Sequence, residues 1–504
     1  MNNKAIRLLC FFLTLASLLS VLIACNNKDN TGASQNTAAA NNDDEYAEYI
    51  NEIGVKNYDG RDFVIATRNT DTASFFTLHP DEKGYMGYSV SDAMYSRDLK
   101  MGESYGVNIT YKLFADSDNG IELASMLGNT ELLGTHTCDM ITSNLTSSII
   151  TLQNQSSLFN ISDLPVINAN MPWWSSYFWE GVSYNDNLYF VAGQAAGGGF
   201  FATPYVMICN LQLAQDVYMQ DGETTLDIFS MIENGEWTLE NFEYIISDYT
   251  TDLNSDSEIS VYQDRMAYAH CRSDVTALCH YVAAGMKLST VDSDGNIDVL
   301  LGADAENMVE RLGNAFDGIK DNFDEKAYFQ DSPSQQMVAF KNNRALFFGN
   351  SMSYVDEITD MEANYAIIPC PKADTKQKDY FSGINTWTPG YIAFPSLCGD
   401  GDAEFVGYTA ELLGYWSSVY VKPEVYDKVL CLRLAKDPRQ MRIMDTIYDN
   451  LYVDLNYVKD FAKSASLIAN CIMDTNQSFV GGRDSANLIL PDQIDKFIRD
   501  SQKD

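Results

Sequence analysis

The stretch RDFVIATR (61–68), followed by VNITYKLF (107–114) and CDMITSN (138–144), decides how the chain is read. Each run is rich in Val, Ile, Phe, Thr or Tyr, residues that suit a pleated, half-buried surface. The first follows the turn NYDG (57–60), and helical stretches are expected around 92–104 and 120–132, between the three strands. This βαβαβ order predicts an α/β fold built on a parallel sheet with crossover helices. In such sheets ligands lie beyond the carboxyl ends of the strands. Thr67, Arg68 and Asn69 after the first strand, and Ser143 and Asn144 after the third, are therefore candidate site residues.

Working outward, the same style continues. TLENFEYIISDY (238–249) offers Thr238 as an N-cap, Glu240 at the positive helix end, and Leu239, Phe242, Ile245 and Ile246 at helical spacing. DAEFVGYTAELLGYW (402–416) puts Phe405, Tyr408, Leu412 and Trp416 on one helix face. ANYAIIPCPKADTKQKDYF (363–381) reads as a short buried strand and then a charged, proline-punctuated connection, suited to a crossing between lobes.

The chain opens differently. Lys4 and Arg7 precede an apolar run from Leu8 to Ala24, with no acid before Cys25. That is the charge-then-apolar order of an export signal, expected over 1–24. At 17 residues the run is shorter than the ~20 an untilted membrane span needs, so cleavage is expected rather than a permanent span. Residues 25–45 are mostly Asn, Ala, Ser, Thr, Asp and Gly with little to bury, and read as a flexible linker tether.

Composition narrows the function classes. The net charge is −37, and loss of Lys4 and Arg7 with the leader makes it −39, so nucleic acid and anionic headgroups are not expected partners. Beyond Cys10 and Cys25, eight cysteines are scattered without a CxxC pair, which is no zinc pattern; mostly free thiols are expected. Four histidines show no HExxH spacing, and no GxSxG elbow is present. DLNSDSEISVYQD (252–264) places Asp252, Asn254, Asp256 and Glu258 at alternate positions, weak calcium candidates because Ser257 and Gln263 stand where a calcium loop carries Gly and Glu. A solvated loop is the favoured reading there. GQAAGGGFF (193–201) lacks a phosphate-loop lysine, and a flexible hairpin or mobile cleft-edge loop is expected instead. No cofactor and no metal are expected, and the chain is read as a non-enzyme.

Several segments in colinear order resemble the extracellular solute-binding proteins of bacterial ABC importers, the carbohydrate-type family that includes maltose-binding protein. They are YDGRDFVIATR, ESYGVNITYK, LPVINANMPWW, DNLYFVAGQ, GEWTLENFEYIISDYTTDLN, NNRALFFGNSMSY and YAIIPCPKADTKQKDYF, together with KPEVYDKVL and LAKDPRQMRIMDTIYDN. Leu22-Ile23-Ala24-Cys25 also resembles the lipobox of bacterial lipoproteins, which implies lipidation of Cys25 and anchoring at the extracytoplasmic face of the cell membrane. The family implies a two-lobed, periplasmic-binding-protein-like fold of type II, each lobe a mainly parallel sheet flanked by helices, joined by interlobe crossings. By that analogy one lobe comprises 57–165 with 380–430, and the other 166–379 with 431–504.

A carbohydrate cleft needs aromatic planes for C–H faces and polar groups for hydroxyls. MPWWSSYFWEG (171–181) supplies Trp173, Trp174 and Tyr177; Trp387 lies in the Gly- and Pro-bounded loop GINTWTPG. Trp237 in GEWT reads as a packing anchor. The strand ALFFG ends at Gly349, Asn350 and Ser351; where related sugar binders often place a tryptophan, this chain has Met352 and then Tyr354. The ligand-binding set is thus Arg68, Asn69, Asn144, Trp173, Trp174, Tyr177, Asn350, Ser351, Tyr354 and Trp387. The resemblance implies a monomeric, lipid-anchored receptor that captures a carbohydrate, an oligosaccharide above all, and delivers it to ABC transporter permease subunits. Rival readings are a surface polysaccharide-binding or adhesive lipoprotein, and a lipoprotein glycoside hydrolase, whose two carboxylates need no local motif.

Overall fold

The structure, a computed structural model, describes residues 46–81, 89–115, 120–134, 136–220, 222–247, 249–257, 259–271, 273–320, 333–399, 402–433 and 437–502. The expected signal (1–24) and the whole expected linker (25–45), Cys25 included, lie outside the described residues, as does Glu258. Among the described residues no helix is long and apolar enough to cross a membrane.

The opening strands form where the sequence places them: β1 (Arg61–Arg68), β2 (Val107–Phe114) and β3 (Met140–Ser143). Helices Ser89–Tyr105 and Ile121–Leu132 connect them, and both strand pairs are parallel, with Thr67 opposite Leu113 on one side and Thr142 on the other. Further along run β4 (Phe190–Ala192), β5 (Tyr205–Asn210), β6 (Met266–His270), β7 (Ser289–Val291), β8 (Ile297–Val299), β9 (Ala345–Ser351), β10 (Tyr365–Ile368) and β11 (Tyr391–Ala393). They complete two main sheets, ordered β2-β1-β3-β11-β4 and β10-β5-β9-β6, with β7 and β8 as a hairpin. Each main sheet anchors one lobe of an α/β fold.

The sheets are mixed rather than mainly parallel. β11 runs antiparallel to both β3 and β4, and in the second sheet only β6 and β9 are parallel. A strand entering from a different direction after a crossing has no local sequence mark, because both orientations satisfy the same backbone groups. β4 also joins the first sheet, so the chain passes between sheets at Thr203–Tyr205, downstream of the expected break at 165/166. It returns through 382–385, where Pro204 bridges Ile384 and Tyr205 N–H donates to Gly383 C=O at 2.9 Å.

Packing fixes the lobes around these crossings. In the first, Arg97 is fully buried: it bonds Asp98 (2.7 Å), the Tyr111 hydroxyl (2.7 Å) and Ser417 Oγ (3.1 Å). This network joins helix Ser89–Tyr105 to helix Ala403–Lys422, which enters after the return crossing. In the second, Leu239, Phe242, Ile245 and Ile246 are all buried, and Trp237 donates to Pro369 C=O at 2.9 Å as a core anchor. Phe405, Tyr408 and Leu412 are likewise buried on the helix that carries them. Cys209, Cys271, Cys279, Cys370, Cys431 and Cys471 are free thiols.

Candidate functional site

Several of the predicted residues are gathered around one crossing. Pro204 C=O accepts from Met352 N–H (2.8 Å), immediately beyond β9, and Thr203 C=O accepts from Asn385 N–H (2.8 Å) at the start of the Trp387 loop. That loop is fastened to the end of β3: Leu145 N–H donates to Thr386 C=O (2.9 Å) and Thr146 Oγ1 donates to Thr386 Oγ1 (2.8 Å). Asn144, Trp387, Ser351 and Tyr354 are thereby brought from distant sequence positions to one interlobe region. The connections are backbone bonds at strand ends, where unpaired N–H and C=O groups need partners.

Each side chain has a distinct setting. Arg68 is buried at the end of β1 and Asn69 is exposed, its N–H held by Phe114 C=O at 2.7 Å. Asn144 is buried and caps the following helical turn, its Oδ1 accepting from Ser147 N–H and Oγ, both at 3.0 Å. Asn350 Oδ1 accepts from Ser351 N–H at 2.7 Å, and Ser351 Oγ bonds Ser353 Oγ at 2.6 Å. Tyr354 is half-buried, its hydroxyl pushed up by burial and then by neighbouring Cys271 and Glu357. Trp387 stays 46% exposed, its N–H donated to Asn385 Oδ1 at 3.0 Å. A tryptophan held open on an anchored loop presents an apolar plane that the fold itself does not cover.

A side-chain contact also joins the loop after β1 to the segment after β9, across the lobes. Asp356, in the 3-10 helix Met352–Ile358 after β9, accepts from Ser74 Oγ and from Phe75 N–H (3.2 Å) in the loop that follows β1. Burial pushes the Asp356 carboxyl up, and the hydrogen bond from Ser74 opposes this. The loop itself is shaped by its own polar groups: Thr70 N–H donates to His79 Nε2 (3.2 Å), and Leu78 N–H to Thr70 Oγ1 (3.2 Å). The glycine run then packs against it. Gln194–Ala202 is a buried 3-10 helix, broken at Gly197 (φ +64°), rather than the expected mobile hairpin. A Cβ on Gly198 would sit 2.7 Å from Phe75 O and 2.9 Å from Thr77 O, so glycine is what lets the two backbones approach.

No protein-family model matches the sequence, and a search of the curated proteins finds no relative. Solved structures do match. A cyclo/maltodextrin-binding protein complexed with maltotetraose aligns over 86% of this chain and 97% of its own, with TM-score 0.54 and 12% identity. The GacH receptor of Streptomyces glaucescens GLA.O, solved unliganded and with acarbose, aligns over 86% and 99%, with TM-score 0.52 and 10% identity. This chain has the two-lobed fold of those binding proteins. At such identity the shared feature is the fold, and the site must be argued from this chain's own residues.

Two of the predicted ligand residues belong to the core instead. Trp173 is fully buried and Trp174 is 4% exposed; their indole N–H groups donate to Glu411 Oε1 (3.2 Å) and Oε2 (2.8 Å). Glu411, itself fully buried, also accepts from Asn168 N–H at 3.2 Å, pinning the Met171–Trp174 segment to helix Ala403–Lys422. A buried indole needs an acceptor and finds it here inside the first lobe, so neither ring is available to a ligand. Tyr177 is exposed on helix Ser176–Val182 among carboxylates: after burial, the charges of Asp449, Glu180 and Asp379 raise its hydroxyl. No described contact joins it to the Thr203–Pro204 crossing.

The calcium candidates are turn-forming groups. Asp252 accepts from Ser255 N–H (2.6 Å) and Ser257 N–H (2.8 Å), and Asn254 bonds Asp256 (2.7 Å) and Gln263. Among the described residues no group of three or more His, Cys, Asp and Glu side chains is placed to hold a metal ion. Sequence reasoning missed Ser74, Asp356 and Thr386. Asp356 is one acid in the acidic run YVDEITD, and nothing local separates it from its solvated neighbours.

Proposed function

We propose that this chain is an extracytoplasmic receptor that captures a carbohydrate, an oligosaccharide above all, between its lobes. In this reading it is held at the membrane through a lipid on Cys25 and passes its ligand to an ABC permease. The supporting observation is the exposed Trp387, with the half-buried Tyr354, at one crossing where Asn144, Asn350 and Ser351 lie buried at the strand ends, in a two-lobed fold shared with maltodextrin-binding proteins. Amides and hydroxyls suit sugar hydroxyls, and the indole suits a C–H face. Interlobe hinge closure would complete the enclosure, with Asp356 and Ser74 meeting across it.

The test is a thermal-shift and calorimetric screen of the full chain, in detergent, against maltodextrins, other oligosaccharides, polyols and peptides. A ligand specific for the native state raises stability as RT ln(1 + [L]/Kd). An oligosaccharide that binds, narrows the interlobe distance and is recovered chemically unchanged supports the receptor. Release of shorter sugars would establish a hydrolase instead. Silence toward all soluble ligands with retention on cell-wall polymer would establish an adhesive. Labelling of Cys25 by a clickable fatty acid in cells, absent in Cys25→Ser, tests the anchor.

A further inference from the structure

A cavity of 1030 Å³ lies away from the residues just described; none of the predicted ligand residues lines it. Its walls come from the first lobe, through Gln153, Asn154, Tyr189 and Phe190, and from the C-terminal segment, through Lys459 and Phe497. Lys459 is the unusual member. Its ammonium lies 5.9 Å from the centroid of Phe190 and 5.6 Å from that of Phe497, and donates to Gln153 Oε1.

Among the described residues no carboxylate pairs with Lys459. The acids on the same wall are directed elsewhere: Asp500 pairs with Lys496 at 2.8 Å, and Asp163 accepts from Asn160 Nδ2 at 3.2 Å. Part of the Lys459 side chain still reaches solvent, yet the surrounding rings strip enough water to lower its pKa to about 8. A desolvated ammonium flanked by aromatic faces, with one amide acceptor, is an incompletely compensated charge. An anion that enters the cavity gains a charge-assisted bond in a setting of low dielectric.

We propose that this cavity is a second ligand site, distinct from the interlobe cleft, which takes a carboxylate-bearing sugar: the carboxylate bonds Lys459, and the C–H face of the ring packs against the half-buried Phe497. The amide groups of Asn154 and Gln493, which also line the cavity, supply partners for hydroxyls. The volume accommodates one to a few sugar rings. Neither a bare anion nor a neutral sugar satisfies both halves of the site.

The probes are glucuronate and galacturonate, with glucose and acetate as controls, titrated calorimetrically into the full chain in detergent. At least one uronate is expected to bind at least tenfold more tightly than glucose and acetate. Lys459→Met, which keeps the stem and removes the charge, should weaken that uronate at least tenfold; Phe497→Leu should weaken it severalfold. Trp387→Ala should leave it unchanged, which separates this site from the cleft whether or not the cleft reading holds. The proposal is overturned if neither uronate binds, if acetate binds equally well, or if binding survives Lys459→Met but is lost in Trp387→Ala. Circular dichroism confirms that each variant is folded, and Phe497→Leu decides the outcome if Lys459→Met is not.

Discussion

Replacing Asp356 by alanine removes the one acceptor that Ser74 Oγ and Phe75 N–H share across the lobes. Hydrogen bonds to charged groups contribute about 1.5–3 kcal/mol net. Two act here, but opening returns all three groups to water, and the desolvation that pushes Asp356 up already opposes the closed arrangement. A net loss of about 1–2 kcal/mol in the closed form follows, a factor of roughly 5–30 in the closed-to-open ratio. If the ligand grips only the closed form, its apparent Kd rises by up to the same factor. Calorimetry on the ligand found in the screen reads the affinity, and spin labels on the two lobes read the distance distribution. Asp356→Asn, which keeps an acceptor, should lie between wild type and alanine. Ser74→Ala should add little once Asp356 is gone, since paired groups are not additive. Wild-type affinity and an unchanged distance distribution in a folded Asp356→Ala variant would refute the reasoning.

Trp387→Ala should weaken oligosaccharide binding about tenfold or more while costing under about 1 kcal/mol of stability, because the ring is already 46% exposed; a large stability loss in urea denaturation would show that the ring is core. Glu411→Ala should cost about 3–5 kcal/mol by the same method, since the Trp173, Trp174 and Asn168 N–H groups all lose their acceptor; Glu411→Gln should recover part of this. Burial, aided by His270, lowers the pKa of fully buried His280 from 6.5 to about 3. Between those values the unfolded chain binds a proton that the native protein does not, so this contribution is present above pH 6.5 and is lost as pH falls toward 3. Between pH 7 and 4 it amounts to a loss of about 3 kcal/mol, and a folded His280→Gln variant should show a correspondingly shallower acid destabilisation in pH-dependent melts.

How far the sequence reached is clearest at particular residues. RDFVIATR and VNITYKLF are strands with the bounds read from them, and helix Leu239–Ser247 buries the four side chains its spacing selects. These are short-range properties, set by side-chain period and turn chemistry within a few residues. The strand-end rule likewise located Asn144 and Ser351 at the crossing. It did not separate Trp387 from Trp173 and Trp174, because tryptophan suits both a cleft and a core; burial is decided by what arrives opposite, here Glu411 from 237 or 238 positions away.

The glycine run shows the same division. GQAAGGGFF reads as a loop because glycine is permissive, yet the backbone of Phe75–Thr77 packs so close that only glycine fits. The sequence by itself determined the α/β class, the parallel start of the first sheet and the polar residues at its strand ends. Tertiary structure alone decided the antiparallel strands, the crossing at Thr203–Tyr205, the Asp356–Ser74 contact and the cavity around Lys459. All of these depend on groups far apart in the chain, whose proximity comes from the balance of burial and backbone hydrogen bonding over the whole fold and leaves no local signal to read.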